Sequence, residues 1–349
     1  MGFPHAYFDE TRRDQTRIER EWQTISDFLC ALPRRVTVVV LTESGFARRL
    51  RFRLEQMKLN CRLEVADNVP SHGLDGRNSL WIRDSFLAAK DLTGPVCVRA
   101  WTNGGLKHGE WIAAWKCIRT IEPQITIEGG NCLVGPDFWL VGACSVRMTA
   151  EHFRLPNIAA GRTALSSLDH RQMYVAGYSS SDAEGGGIGN GDAIYQADPV
   201  GHIDLVLSIT GIKRNGRPVL LLADPIGSGE SSRLATLRRR LAIVAERLEE
   251  HGFQVIRNPV PFLPLPGSAG RLALRPYNNV LLENTPKPTV WLPTFSDQEK
   301  HLAAIDDSNA QIWARLGFEV IPLPGWTAFA DKDGGPRCMA NVIERGPAA

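Results

Sequence analysis

Residues 289–324 read TVWLPTFSDQEKHLAAIDDSNAQIWARLGFEVIPLP, and the order of elements in this stretch sets the fold. TVWLPTF is a short apolar run rich in β-branched and aromatic residues, which reads as a buried strand. DQEKHLAAIDDSNAQIWARLG is a helix with Gly317 as its stop. FEVIPLP returns to strand. The same sentence stands upstream. PVLLLA (218–223) is a strand, and Leu234, Leu237, Leu241, Val244 and Leu248 mark one helical face. Gly252 ends that helix before the strand FQVIRNPVP. HGFQVI (251–256) and LGFEVI (316–321) make the repetition visible in letters. VTVVVL (36–41) opens a third copy, with a helical pattern to near Asn60 and the strand CRLEVAD (61–67). Two weaker copies lie between them. PVCVRAW (95–101) leads to the helix-like EWIAAWKCIRTI (110–121) and then to ITIEGGN (125–131). FWLVGA (138–143) leads to a helical stretch after Met148 and to MYVAGY (173–178).

Five strand-helix-strand units result, each with a further strand-like segment attached. These segments are SLWIRDSFLA, EGGNCLV, GHIDLVLSITG, YNNVLLEN and, from the C-terminal side, PRCMANVIE. One unit cannot bury its own apolar face, so the copies must pack on one another. The alternation also suits an ordinary doubly wound sheet. Five equivalent copies favour an α/β ring with pseudo-fivefold repeat, spanning residues 1–349 as a single catalytic domain. A helix over residues 9–32, with Ile18, Trp22, Ile25, Leu29 and Leu32 at helical spacing, packs on it.

Bulk properties exclude several functions. Forty basic and 38 acidic residues give a formal charge of +2, with no electrostatic footprint for nucleic acid. The run Arg238, Arg239, Arg240 reads as a solvated helix face. No stretch approaches the roughly 18 apolar residues of a membrane span, and charges begin at Asp9, so a cytoplasmic protein without membrane contact is expected. The seven cysteines are odd in number, widely spaced and free of C-x-x-C, which argues against a disulfide framework or zinc ribbon. SSSDAEGGGIGNGD (179–192) is glycine-rich but joins no strong strand to a helix, and reads as a loop or lid rather than a dinucleotide site.

The attached segments carry what buried strands avoid: Arg83 and Asp84 in WIRDS, Glu128 and Asn131 in IEGGN, His202 and Asp204 in GHIDL, Arg337 and Cys338 in GGPRC. Singly, each has a plain structural reading: a surface ion pair for Asp84, a turn for Glu128, a satisfied core histidine for His202, a turn cap for Asp204, a buried thiol for Cys338. A metal held by His202, Asp204 and Glu128 would leave Cys338 without a use. At matching points of a ring they form a site for a guanidinium. Asp84 and Asp204 would each accept a pair of its N–H bonds. Cys338 as thiolate would attack the central carbon, a positive neighbour being needed to ionise it. His202 would serve as acid and base, with Glu128 holding the imidazole. No metal or organic cofactor is required, and the partner is a small guanidino compound; nothing in the sequence sets the oligomeric state.

These residues resemble the guanidino-group-modifying (pentein) superfamily, whose fold is a five-bladed α/β propeller, and among its members arginine deiminase most. WIRDSFLA is similar to the aromatic-x-Arg-Asp segment of that family, IEGGNCLVGPDFWLVGACSVRMT to its Glu-Gly-Gly block, GHIDLVLSITG to its His-x-Asp segment and GGPRCMANVIER to its nucleophile segment. YNNVLLENTPKPTVWLPTF looks like the blade before the nucleophile in agmatine and peptidylarginine deiminases. The resemblance implies Cys338 as nucleophile, His202 as acid-base, Glu128 as its partner, and Asp84 and Asp204 as guanidinium clamps. It implies Arg147 as the grip on a substrate carboxylate and places Arg337 against the same pocket. The implied reaction is hydrolysis of an arginine or arginine derivative to a citrulline-type ureido product and ammonia through a covalent thiouronium. Amidino transfer to an acceptor amine, or action on agmatine or peptidyl-arginine, are the alternatives. Asn131 stands where arginine deiminases carry an acid, Val36 to Asp84 leaves no room for their helical insert, and Met148 to Pro199 is long. These departures turn the expectation from free L-arginine toward a derivative.

Overall fold

The structure is a computed structural model and describes residues 1–3, 7, 15–70, 80–100, 108–177, 202–227, 232–264, 272–285 and 287–345. The glycine-rich segment 179–192 and residues 9–14 of the expected first helix lie outside the described residues.

In chain order the elements are β1 (Gly2–Phe3), α1 (Gln15–Ala31), β2 (Thr37–Glu43), α2 (Ala47–Glu55), β3 (Arg62–Val69), β4 (Leu87–Asp91), β5 (Gly94–Val98), α3 (His108–Lys116) and β6 (Arg119–Ile121). There follow β7 (Cys132–Val134), β8 (Phe138–Gly142), α4 (Ala143–His152), α5 (Ile158–Ser166), β9 (Gln172–Ala176), β10 (Leu207–Arg214), β11 (Arg217–Ile226), α6 (Ser232–Glu250) and β12 (Gln254–Pro264). The chain continues with β13 (Leu272–Leu274), β14 (Leu281–Glu283), β15 (Thr289–Pro293), α7 (Ala303–Arg315), β16 (Glu319–Leu323) and α8 (Thr327–Ala330). Among the described residues the strands form five sheets of consecutive strands: β1-β2-β3, β4-β5-β6, β7-β8-β9, β10-β11-β12-β13 and β14-β15-β16.

The last four sheets obey one rule. An antiparallel hairpin comes first, then a helical crossover to a third strand parallel to the middle one. The middle strand lies between two neighbours, and it is the most apolar: Val219 to Ala223 of β11 and all of β15 are buried. Fully burying one such Leu or Val contributes about 1.5–3 kcal/mol. The helices turn their apolar stripes inward, with Leu234, Leu237, Leu241, Val244 and Leu248 of α6 all buried. The letters shared by HGFQVI and LGFEVI encode one terminator. Gly252 and Gly317 take φ of +87° and +90°, and Phe253 and Phe318 donate N–H bonds back to Leu248 and Trp313 across the helix end. The largest apolar cluster joins Phe3 and Trp22 to Leu220, Leu222, Trp313, Trp326 and Met339. In α1, Trp22, Ile25, Phe28 and Leu29 are part of it, and Trp291 Nε1 donates to Ala31 O at 3.0 Å.

Four expectations are corrected. The helix-like run to Ile121 ends at Lys116, because Cys117 takes φ of +53°, and β6 occupies part of the remainder. ITIEGGN is accordingly not the third strand of its unit. The crossover after FWLVGA starts at Ala143 rather than after Met148, and a second helix follows, capped by the Asn157 side chain accepting from Ala160 N at 2.9 Å. Residues 336–344 form no strand; the third strand of the first sheet is Gly2–Phe3, parallel to β2. Finally, these residues sit not inside strands but at short 3-10 turns just before them: Arg83 and Asp84 within Ile82–Ser85, Asn131 within and Glu128 just before Gly129–Asn131, Asp204 within and His202 just before Ile203–Leu205. A turn leaves backbone N–H groups free for partners other than a neighbouring strand, which suits a site better than a ladder does.

Candidate active site

Five chain segments meet here, joined by a closed cycle of hydrogen bonds. Arg83 N donates to Cys338 O at 3.1 Å. Gly130 N donates to Asp84 Oδ1 at 2.9 Å, and Ile203 N to Asn131 Oδ1 at 3.2 Å. Asn279 Nδ2 reaches Asp204 O at 3.4 Å, and Cys338 N donates to Asn279 Oδ1 at 3.2 Å, which returns to the start. Each bond links one segment to the next in chain order. Asp84, Asp204 and Cys338 are buried here, with relative exposures of 8%, 0% and 2%.

Close approach explains the glycines. A Cβ on Gly129 would come within 2.0 Å of Arg83 O, and one on Gly130 within 2.4 Å of His202 Nδ1. The pair in IEGGN is what lets the Glu128 segment lie against both neighbours. His202 Nε2 then stands 2.7 Å from Glu128 Oε2, with Nδ1 3.6 Å from Asp84 Oδ1. Burial disfavours the imidazolium, but Asp84, the bond to Glu128 and Asp204 outweigh it and raise the His202 pKa to about 9. His202 is therefore a charged acid at neutral pH.

Burial also raises Asp84, against the opposing pull of His202. It pushes the Cys338 thiol well above the ordinary range, and Asp204 and Asp84 push it further. Without a ligand Cys338 is a neutral thiol. Its Sγ accepts from Asn279 Nδ2 at 3.2 Å. Asp204 Oδ2 is paired with Arg337 Nη1 at 2.6 Å, while Asp204 Oδ1 is buried with no hydrogen-bond partner among the described residues. A buried carboxylate oxygen without a donor is costly and marks where a donor is to come from. The arrangement thus offers a cation two buried carboxylates beside a sulfur whose ionisation a bound cation would favour.

The expected residues divide in two. Asp84, Glu128, His202, Asp204 and Cys338 are brought together. Arg147, Asn131 and Arg337 have partners of their own in the protein. Arg147 lies on α4 with Glu151 of the same helix 3.8 Å away, and among the described residues no hydrogen bond or ion pair joins it to the five segments. Asn131 joins two segments, accepting from Ile203 N and donating to Cys144 Sγ at 3.2 Å. Arg337 pairs with Asp204 and donates to Cys132 O at 2.9 Å, so it holds the carboxylate in place. Arg83 lies beside it, donating to Gly129 O at 3.1 Å and Asn341 Oδ1 at 2.9 Å; burial and the neighbouring Arg337 lower its pKa to about 10. Sequence reasoning passed over Asn279. The only signal was its place in YNNVLLEN, the one attached segment without a charge before its strand.

Solved structures share this fold. The chain aligns with an agmatine deiminase from C. jejuni at a TM-score of 0.65 and 15% identity, covering 99% of this chain and 92% of that one. It aligns with a Porphyromonas gingivalis protein assigned as an arginine deiminase at a TM-score of 0.65 and 16% identity, covering 97% and 92%. No family model matches the sequence, and no curated protein does.

Proposed function

We propose that this chain is a guanidino-group hydrolase of the pentein type, its five sheets standing as blades of a closed propeller around the site. The observation that carries the reading is the buried Cys338 thiol, whose ionisation burial and the carboxylates of Asp204 and Asp84 oppose, with Asp204 Oδ1 lacking a hydrogen-bond partner among the described residues. The closed cycle of hydrogen bonds supports the propeller, since it links five successive segments about one centre.

A guanidinium entering the site donates N–H bonds to Asp84 and to Asp204 Oδ1. Its charge stabilises the Cys338 thiolate, whose proton leaves to solvent. The sulfur attacks the central carbon, forming the C–S bond and a neutral tetrahedral adduct. Protonated His202 gives its proton to one amino nitrogen, the C–N bond breaks, and ammonia leaves a covalent thiouronium. Neutral His202 then takes a proton from water as the oxygen bonds to carbon. Collapse breaks the C–S bond and releases a ureido product; the last proton goes to the ammonia or the sulfur. Guanidinium plus water thus gives a ureido compound plus ammonium.

The substrate is an arginine derivative rather than free L-arginine. In support, Arg147, the residue expected to grip an α-carboxylate, is turned toward Glu151 on its own helix. The test is a screen of arginine, agmatine, methylated arginines and arginyl peptides for ureido product and the released amine, which is ammonia or, from a methylated nitrogen, the methylamine. One of them is expected to yield both in equal amounts, with a covalent adduct on Cys338 visible by intact mass. Cys338→Ala is expected to lose at least about a thousandfold in turnover. Unchanged turnover in Cys338→Ala overturns the hydrolase, and product formation only with an added amine makes the chain a transferase.

A further inference from the structure

Asn279 lies in the fourth segment of the cycle, just before β14, and is buried at 0% exposure. Its amide makes four contacts. Oδ1 accepts from Arg337 N at 2.9 Å and Cys338 N at 3.2 Å; Nδ2 donates to Asp204 O at 3.4 Å and Cys338 Sγ at 3.2 Å. The backbone leaves no slack around it, since a Cβ on Gly335 would come within 2.7 Å of Asn279 Oδ1. Asn279 is the only side-chain hydrogen-bond donor to Sγ among the described residues. Burial and the Asp204 and Asp84 carboxylates oppose ionisation of the sulfur, while a backbone hydrogen bond of Gly335 and the Asn279 amide favour it. An amide bond to sulfur is stronger when the sulfur is charged, so it favours the thiolate.

We propose that Asn279 is a positioning residue for the nucleophile: it aims the Cys338 sulfur and stabilises its thiolate by one N–H bond, while its oxygen fixes the Arg337–Cys338 backbone. This rests on Cys338 being the nucleophile of the proposed hydrolase. The neighbouring Asn278 separates this role from mere packing. It is equally buried, but its amide bonds to Asn258 at 3.0 Å and Leu221 O at 3.3 Å, away from the sulfur.

The test measures the pH dependence of iodoacetamide alkylation of Cys338, in protein whose other cysteines are followed separately by peptide mass. Asn279→Asp keeps the shape and places an acceptor or a negative charge on the sulfur. It is expected to move the midpoint of alkylation up by at least about one pH unit, and so to slow alkylation about tenfold at fixed pH. Turnover should fall about a hundredfold with KM changed less than threefold. Asn279→Ala removes the donor without adding charge and should shift the midpoint in the same direction by less. Asn278→Asp should lower the melting temperature without moving the midpoint. In the unaltered protein, the Asn279 side-chain amide NMR signal should shift as the thiol titrates, a readout that needs no variant. A wild-type midpoint in Asn279→Asp with unchanged kcat, or an amide signal indifferent to the thiol, overturns the proposal. Alkylation needs no substrate, so a chain that turns over no guanidino compound still reports on Asn279. Ureido formation with an unmoved midpoint overturns Asn279 alone.

Discussion

His202 between Asp84 and Glu128 sets the pH response at the scale of single residues. A pKa raised to about 9 keeps His202 an imidazolium through neutral pH, as the acid of the proposed first half-reaction requires. Turnover under substrate-saturating conditions is therefore expected to fall as pH rises through about 9, and Glu128→Gln, which removes one of the stabilising charges, should move that limb to lower pH by at least about half a unit. A limb that stays in place in the Glu128 variant would remove His202 as its origin. The same pair contributes to folding with the opposite sign to a buried acid. The raised pKa gives stability that is complete below the unfolded value near 6.5 and is lost as pH rises through 9. At this scale the charged residues were legible in the sequence because a charge in an apolar segment calls for a partner. Asn279 was not, because a neutral amide before a strand breaks no such expectation.

At the scale of elements, the difference between strand and turn decides what a residue can do. The sequence pattern places Asp84, Glu128 and His202 on apolar segments, and those segments do become β4, β7 and β10, but only after a 3-10 turn has carried the polar residues off the sheet. Period-2 alternation cannot report a turn of three or four residues, and Cys117 ends α3 without the glycine that marks Gly252 and Gly317. The turns are held to one another by side chains, which makes them individually breakable. Asn131→Leu removes the acceptor of Ile203 N and the donor to Cys144 in one change. It is expected to cost about 1–3 kcal/mol in urea unfolding, and to lower turnover beyond what stability explains, because the Ile203–Leu205 turn carries Asp204 and adjoins His202. A loss of stability with full activity in the folded protein would show the link to be packing alone.

At the scale of the whole molecule, α1 is fastened to the segment that leads into Cys338. Glu21, 4% exposed at its side chain, binds Lys332 Nζ at 2.7 Å, Arg17 Nε at 2.8 Å and the Tyr7 hydroxyl at 2.7 Å. Burial would raise the Glu21 pKa, but the bonds to Lys332 and Arg17 outweigh it and hold it below the usual carboxylate range. Its stability contribution is present above the unfolded value near 4.3 and is lost as pH falls through the lower folded one. Glu21→Gln is therefore expected to lower stability by about 1–3 kcal/mol at pH 7 and to flatten the acid limb of the unfolding profile; parallel profiles for the two proteins would refute this. The repeat was readable from the order of strands and helices, while the two-residue strand Gly2–Phe3 was not, being too short to show any period. One consequence follows from how the five segments are spaced along the chain. A ribosome releases Asp84, Glu128, His202, Asp204 and Asn279 before Cys338. A nascent polypeptide thus lacks both Arg337, which holds Asp204, and the Cys338 backbone that closes the hydrogen-bond cycle until these two residues have been made, so the five segments can take up their full arrangement only late in synthesis.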